Sequence, residues 1–238
     1  MDTRTGRWVE LAAGVLARRY EELDQTLGVV VGSRSCLVVD TGGDELIGAE
    51  LAAAVREVTA LPWSVVLTHA HFDHHFGTAA FAPCPVWAHE RCREALVRDA
   101  ERDRAAWVAH YREAGDTATA EALQAARGVL PDRLLSSSVE MDLGDRMAVL
   151  SHPGPGHTDH DVVVHVPDAG VLFVGDLVEQ GAPPSIGPDS DPARWPHALD
   201  TLLAMRPRTV VPGHGDPVDA AFVAAQRDEL AARAPDRG

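Results

Sequence analysis

The stretch Ser64-Val65-Val66-Leu67-Thr68-His69-Ala70-His71-Phe72-Asp73-His74 decides the fold. Its first five residues are mostly apolar or β-branched and follow Pro62, which predicts a buried strand. That strand runs straight into four side chains that can hold a metal. In extended backbone, residues two apart point to the same side. His69 and His71 can therefore reach one ion together. Asp73 and His74 come after the chain begins to turn and can face a second ion. A single histidine after a strand is usually a packing residue. Four metal-capable residues within six positions call for a site.

Four further segments follow predicted apolar strands: Asp40-Thr41-Gly42, Gly156-His157-Thr158, Gly175-Asp176 and Gly213-His214-Gly215. Ligand sites in α/β folds gather at such strand ends. One ion then receives His69, His71, His157 and Asp176. The other receives Asp73, His74, His214 and Asp176, whose carboxylate can bridge both. Nitrogen and oxygen donors without thiolate suit zinc, with iron and manganese as further options. Two ions about 3.5–4 Å apart can share a water and bring its pKa towards neutrality. The expected activity is hydrolysis by a bridging hydroxide. Asp73 is expected to carry a proton in that reaction. Asp40 is expected behind the ligands, orienting a histidine through its free ring N–H. His75, His152 and His160 are read as neighbours of the site or loop residues. Trp107 and Trp195 are read as core rather than pocket.

Around this centre the chain divides into a strand–helix–strand half, a helical stretch and a second strand-rich half. Strands are expected at Thr26 to Val31, Cys36 to Val39, Ser138 to Leu143, Arg146 to Ser151, Asp161 to Val166, Gly170 to Val174 and Thr209 to Val211. Helices are expected at Asp44 to Thr59, Ala193 to Met205 and Pro217 to Ala234. Glu90 to about Arg127 is rich in Ala, Arg, Glu and Leu and reads as helical, broken near Gly115-Asp116. Val178 to Trp195 is rich in Pro, Gly, Ser and Asp and reads as a loop. Each half can supply a mixed sheet with helices on its outer face. Two such sheets packed together make an α/β four-layer αββα sandwich. The expectation is one domain over residues 1–238, with the helical insertion at about 90–130.

Composition excludes several functions. Lys and Arg number 21 against 36 Asp and Glu, a formal charge of -15. A nucleic-acid partner needs a basic footprint, and an anionic membrane surface is equally disfavoured. No run approaches a membrane-spanning length. Cys36, Cys84 and Cys92 form no C-x-x-C pair and suggest reduced thiols in the cytoplasm. No G-x-S-x-G elbow, P-loop or G-x-G-x-x-G supports a serine hydrolase or a nucleotide enzyme.

The H-x-H-x-D-H run, with the Gly-His, Gly-Asp and Gly-His pieces in order after it, resembles the metallo-β-lactamase superfamily from about Asp40 to His214. The resemblance implies the αββα sandwich, with a site at one edge between the sheets. It implies metal-ligand roles for His69, His71, Asp73, His74, His157, Asp176 and His214. Asp176 stands where true β-lactamases of the B1 type carry cysteine, so the ligand set is similar to that of glyoxalase II. The expected substrate is a small-molecule ester, thioester, lactone or amide, cleaved with two zinc ions. A mononuclear iron persulfide dioxygenase of the same fold is the alternative. Specificity is expected in the helical insertion and the loop from Val178 to Trp195.

Overall fold

The computed structural model describes residues 4–233. The chain opens as an antiparallel meander of β1 (Arg7–Ala12), β2 (Val15–Arg19), β3 (Thr26–Val31) and β4 (Cys36–Val39). Gly14 makes the β1–β2 turn at φ +71, a left-handed conformation that glycine adopts without steric cost. After β4 the pairing turns parallel. α1 (Glu45–Val58) carries the chain over to β5 (Trp63–Val66). The Asp44 carboxylate starts that helix by accepting the N–H groups of Leu46 and Ile47. Next come α2 (Phe72–His75), a 3-10 turn over Phe76–Phe81, and β6 (Val86–His89). α3 (Glu90–Glu113) and α4 (Thr117–Ala125) then lead to β7 (Arg133–Leu135). These seven strands form one sheet in chain order.

The second sheet takes β8 (Ser138–Asp142), β9 (Met147–Ser151), β10 (Val163–Val166), β11 (Val171–Glu179) and β12 (Thr209–His214), in the order β12-β11-β10-β9-β8. Its first four strands are antiparallel neighbours. α5 (Trp195–Ala204) lets β12 return parallel to β11. α6 (Ala220–Arg233) closes the described chain. The final residue of the helix expected to Ala234 lies outside the described residues.

Alternation along the strands sets the layers. Leu37, Val39 and Val66 face inward, where they meet Leu150, Val164, Phe173 and Val211 of the second sheet. Val38 and Val65 face the other way, against Ile47, Leu51 and Val55 of α1 and Cys92 and Leu96 of α3. On the second sheet, Leu172, Val174 and Val210 face Trp195 and Leu199 of α5 and Val223 and Leu230 of α6. Helix, sheet, sheet and helix make the four-layer αββα sandwich. The sheets meet closely at Gly28, where a Cβ would lie 2.4 Å from the Phe173 ring.

Two elements differ from the sequence reading. β11 continues past Val174 through Gly175 and Asp176 to Glu179, with every residue buried. Hydrophobic patterning ends at the first carboxylate, but the ladder with β12 continues through register shifts on either side of Gly175. β7 has no signal of its own because Arg133-Leu134-Leu135 is neither alternating nor β-branched. Asp132 anchors it to β6 instead, donating its N–H to Val86 and accepting the Val86 N–H on its carboxylate. No helix among the described residues is long and apolar enough to cross a membrane.

Candidate metal centre

Five histidine rings converge beyond the ends of β5, β9 and β12, and each has one nitrogen committed on its far side. Asp40 Oδ2 accepts from Thr68 Oγ1 at 2.7 Å, and Oδ1 from the Thr68 N–H at 2.7 Å. The threonine hydroxyl has therefore given its hydrogen away. The 3.0 Å contact between Thr68 Oγ1 and His69 Nδ1 then requires His69 Nδ1–H to donate. His74 Nδ1 donates to Asp40 Oδ2 at 2.8 Å. His157 Nδ1 donates to the Ser185 carbonyl at 3.1 Å, and His214 Nδ1 to the Leu23 carbonyl at 2.7 Å. His71 is turned the other way, with Nε2 2.9 Å from Asp189 Oδ2. Every remaining ring nitrogen, Nδ1 of His71 and Nε2 of the other four, is left as a lone pair in neutral imidazole.

Those lone pairs face each other. His157 Nε2 lies 2.9 Å from His71 Nδ1. Two acceptor nitrogens at that distance repel unless a proton or cation lies between them. Nε2 of His69, Nε2 of His74 and Oδ1 of Asp176 are buried atoms without a hydrogen-bond partner. Buried polar atoms are rarely left so, and such a cluster calls for a bound species. Donor atoms of His69, His71, His157 and Asp176 lie within 4.8 Å of one another, and so do those of Asp73, His74 and His214. Asp176 stands between the sets. Its Oδ2 is 3.7 Å from His69 Nε2, 3.6 Å from His157 Nε2 and 3.3 Å from His214 Nε2, while Oδ1 is 3.3 Å from His74 Nε2. Asp73 Oδ2 lies 3.4 Å from His74 Nε2 and 3.2 Å from His214 Nε2. The donor chemistry and these orphaned atoms fit divalent cations.

Local backbone explains the convergence. Asp40 sits at φ +59 as the chain leaves β4, which turns its carboxylate across to Thr68 and His74. Gly213 admits the Asp176 carboxylate, since a Cβ there would lie 1.9 Å from Oδ1. The Gln25 side chain donates to the Asp73 carbonyl and holds the first turn of α2 in place.

Charge follows the same geometry. Burial drives the His69 pKa well below that of free imidazole and brings His157 down to about 4. Burial opposes charge on His214 too, but Asp176 and Asp73 outweigh it and raise the ring to about 12. Asp73 is held down at about 2: burial raises it, and His74 and His214 more than reverse the effect. Glu179, further along β11, is pushed up to about 7 by burial and by the Asp176 charge. Asp161 rises to about 7 through burial, despite accepting the N–H and hydroxyl of Thr158.

A groove of about 780 Å³ opens over the centre. His71, Asp73, Asp176 and His214 lie along it. One face of α3, with Ala95, Arg98, Arg102 and Trp107, lines it as well, together with Ser185, Pro188 and Asp189 of the loop after β11. Its volume is within the range of ligand pockets. Trp107 stacks on Phe72 at 4.3 Å between ring centroids, so it lines the groove rather than filling a core. Trp195 is fully buried and does fill one. His160 is buried rather than a free loop residue, and its Nε2 accepts the Ala70 N–H at 3.2 Å. His152 is half-buried on the Asp161 carbonyl, and His75 is buried beside Phe76. Asp189, Thr68 and the carbonyls of Ser185 and Leu23 were not singled out from the sequence. Thr68 stands next to the histidine run and Asp189 lies in a loop already marked for specificity. A backbone carbonyl leaves no mark in sequence at all.

The family model described as metallo-beta-lactamase superfamily matches residues 21–214. A chicken (Gallus gallus) protein named acyl-coenzyme A thioesterase MBLAC2 is 30% identical over 213 residues, covering 83% of this chain and 75% of that protein. A type 2 metallo-beta-lactamase of Bacteroides fragilis is 34% identical over 91 residues, covering 37% of this chain and 36% of that protein. Among solved structures, a metallo-beta-lactamase from Pontibacter korlensis superposes with a TM-score of 0.74 at 20% identity, covering 97% of this chain and 100% of that one. At that identity the likeness speaks for the fold alone.

Proposed function

The chain belongs to the metallo-β-lactamase superfamily, and from that premise we propose that it hydrolyses a small-molecule ester, thioester, lactone or amide with two divalent cations. One observation carries the reading. All five histidines have the far ring nitrogen engaged by an oxygen acceptor, so the other nitrogen of each, a lone pair once the ring is neutral, is aimed with two carboxylates at one space. His69, His71, His157 and Asp176 would hold one cation. Asp73, His74, His214 and the second oxygen of Asp176 would hold the other. Zinc suits this nitrogen and oxygen set, which iron and manganese also accept. When bound, the cations supply an activated water and positive charge for a developing oxyanion.

The protein's own groups do the rest. Asp73, whose Oδ2 lies 3.2 Å from His214 Nε2 on the groove, would take and return a proton. Asp40 holds His74 in one tautomer and one orientation. The groove between α3 and the loop after β11 holds the substrate and limits water. A thioester is the first class to test, because the chicken relative is named an acyl-coenzyme A thioesterase.

Elemental analysis of the purified protein is expected to return two equivalents of divalent metal. A panel of thioesters, esters, lactones and lactams is expected to include a substrate whose turnover is lost in Asp73→Ala. A protein that holds no metal contradicts the proposal. A single equivalent of iron with oxygen uptake on a persulfide would assign the chain to the dioxygenase alternative.

A further inference from the structure

The loop from residue 180 to 194, between β11 and α5, has no regular structure, yet it grips the centre at several points. The Ser185 carbonyl accepts His157 Nδ1–H, and Asp189 Oδ2 accepts His71 Nε2–H at 2.9 Å. Ser190 Oγ donates to the His157 carbonyl at 2.7 Å and accepts the Gly187 N–H at 2.9 Å. Asp191 N–H reaches the Gly156 carbonyl at 2.9 Å. One end is pinned by Glu179, whose carboxylate accepts the Ser185 N–H at 2.8 Å. The other three rings are held from elsewhere: His69 by Thr68, His74 by Asp40 and His214 by the Leu23 carbonyl. The loop therefore orients the rings of two histidines of one set, and of the other set it reaches only backbone, the Gln180 N–H donating to the His214 carbonyl at 3.0 Å.

This asymmetry has a consequence for binding. His71 is the most exposed of the histidines in its set, with 32% of its side chain accessible, and no other hydrogen bond holds its Nε2. Its Nδ1 offers a lone pair beside His157 Nε2 only while the hydrogen stays on Nε2, where Asp189 accepts it. We infer that the loop over residues 180–194 and the cation site of His69, His71 and His157 are coupled, with Asp189 as a positioning residue, so that loop order and affinity at this one site rise and fall together. A cation that fixes both rings fixes the loop hydrogen-bonded behind them. A loop displaced from the groove releases both rings. Linkage requires the two effects to be equal in size. The inference rests on the two-site reading above.

Zinc is the probe, and the test is run on the full chain. Ring resonances of His71 and His157 report one site by NMR, those of His74 and His214 the other, and hydrogen exchange reports the loop amides. In the natural chain zinc is expected to slow exchange in the loop. Asp189→Ala is expected to weaken zinc about 10–100-fold at the His71–His157 site, the usual cost of losing a group behind a ligand. The His74–His214 site is expected to bind as before, and the zinc-dependent protection of the loop to disappear. Asp189→Asn keeps an acceptor and is expected to fall between the two. Unchanged affinity at both sites, equal loss at both, or loop exchange indifferent to zinc in the natural chain overturns the coupling. Uptake of fewer than two equivalents by the natural chain overturns the two-site reading itself, and is seen before any variant is made.

Discussion

A neutral imidazole presents a lone pair only on the nitrogen that carries no hydrogen, so the acceptor behind the ring decides what its front can hold. Asp40 does this for His74 directly and for His69 through Thr68. Asp40→Ala is expected to weaken zinc at the His74 site about 10–100-fold in a chelator competition. The same change leaves the buried Thr68 N–H without its acceptor, which costs about 1–3 kcal/mol in a denaturant titration. Asp161 gives a pH test. Burial raises its folded pKa to about 7, from 3.8 in free aspartate. A raised carboxyl contributes stability that is fully present below the unfolded value and is lost as pH rises through the folded one. The Asp161 contribution is therefore expected to be lost between about pH 4 and 7, opposite in sign to the depressed His69 and His157, and Asp161→Asn is expected to make the pH slope of stability in the chelator-treated protein more positive by up to about 1.4 kcal/mol per pH unit. The side chains that converge were nameable from the sequence, because four metal-capable residues in six after an apolar run are hard to explain as packing. The residues that orient the donors were legible only in part. Asp40 follows a strand and could be named. Asp189 lies far along the chain in a loop of ordinary turn composition, and the carbonyls of Ser185 and Leu23 belong to any sequence.

Elements were legible where periodicity was strong. β3, β4 and α1 follow the apolar pattern almost to the residue. The pattern failed where a carboxylate enters a strand, at Asp176, and where three residues are held as an edge strand by a neighbour's side chain, at β7. The helical stretch is divided at Gly115, whose φ of +81 ends α3 and leaves Asp116 to cap α4. Close approach of elements was invisible in the sequence. A Cβ on Gly77 would lie 2.0 Å from the Thr41 carbonyl oxygen and 2.9 Å from the Gly48 Cα of α1. Gly77→Ala is expected to destabilise the protein by about 1–3 kcal/mol, read from the denaturant midpoint. The strain should reach the centre as well, because the Thr41 N–H donates to the His74 carbonyl at 3.0 Å. Unchanged stability would mean that α1 and the 3-10 turn separate more easily than their packing implies.

At the scale of the molecule, the centre lies where the two sheets meet along one edge. The first sheet contributes Asp40 and the run from His69 to His74, and the second contributes His157, Asp176 and His214. Under the proposed two-cation reading, cations held by both halves would stabilise the folded state and bind the unfolded chain weakly. At a free concentration 100 times the dissociation constant, one such site adds about 2.7 kcal/mol. A strong chelator is therefore expected to lower the melting temperature, and added zinc to restore it. A net charge of -15 favours cation uptake and disfavours polyanionic partners over most of the surface. The decisive measurement is metal content and turnover on the same sample, taken as zinc is removed by a chelator and then returned. Two zinc ions per chain, with hydrolysis that disappears on removal and returns with the second equivalent, is the predicted result. Hydrolysis that persists in fully stripped protein, or a stripped protein that takes up no zinc, would contradict a two-cation hydrolase.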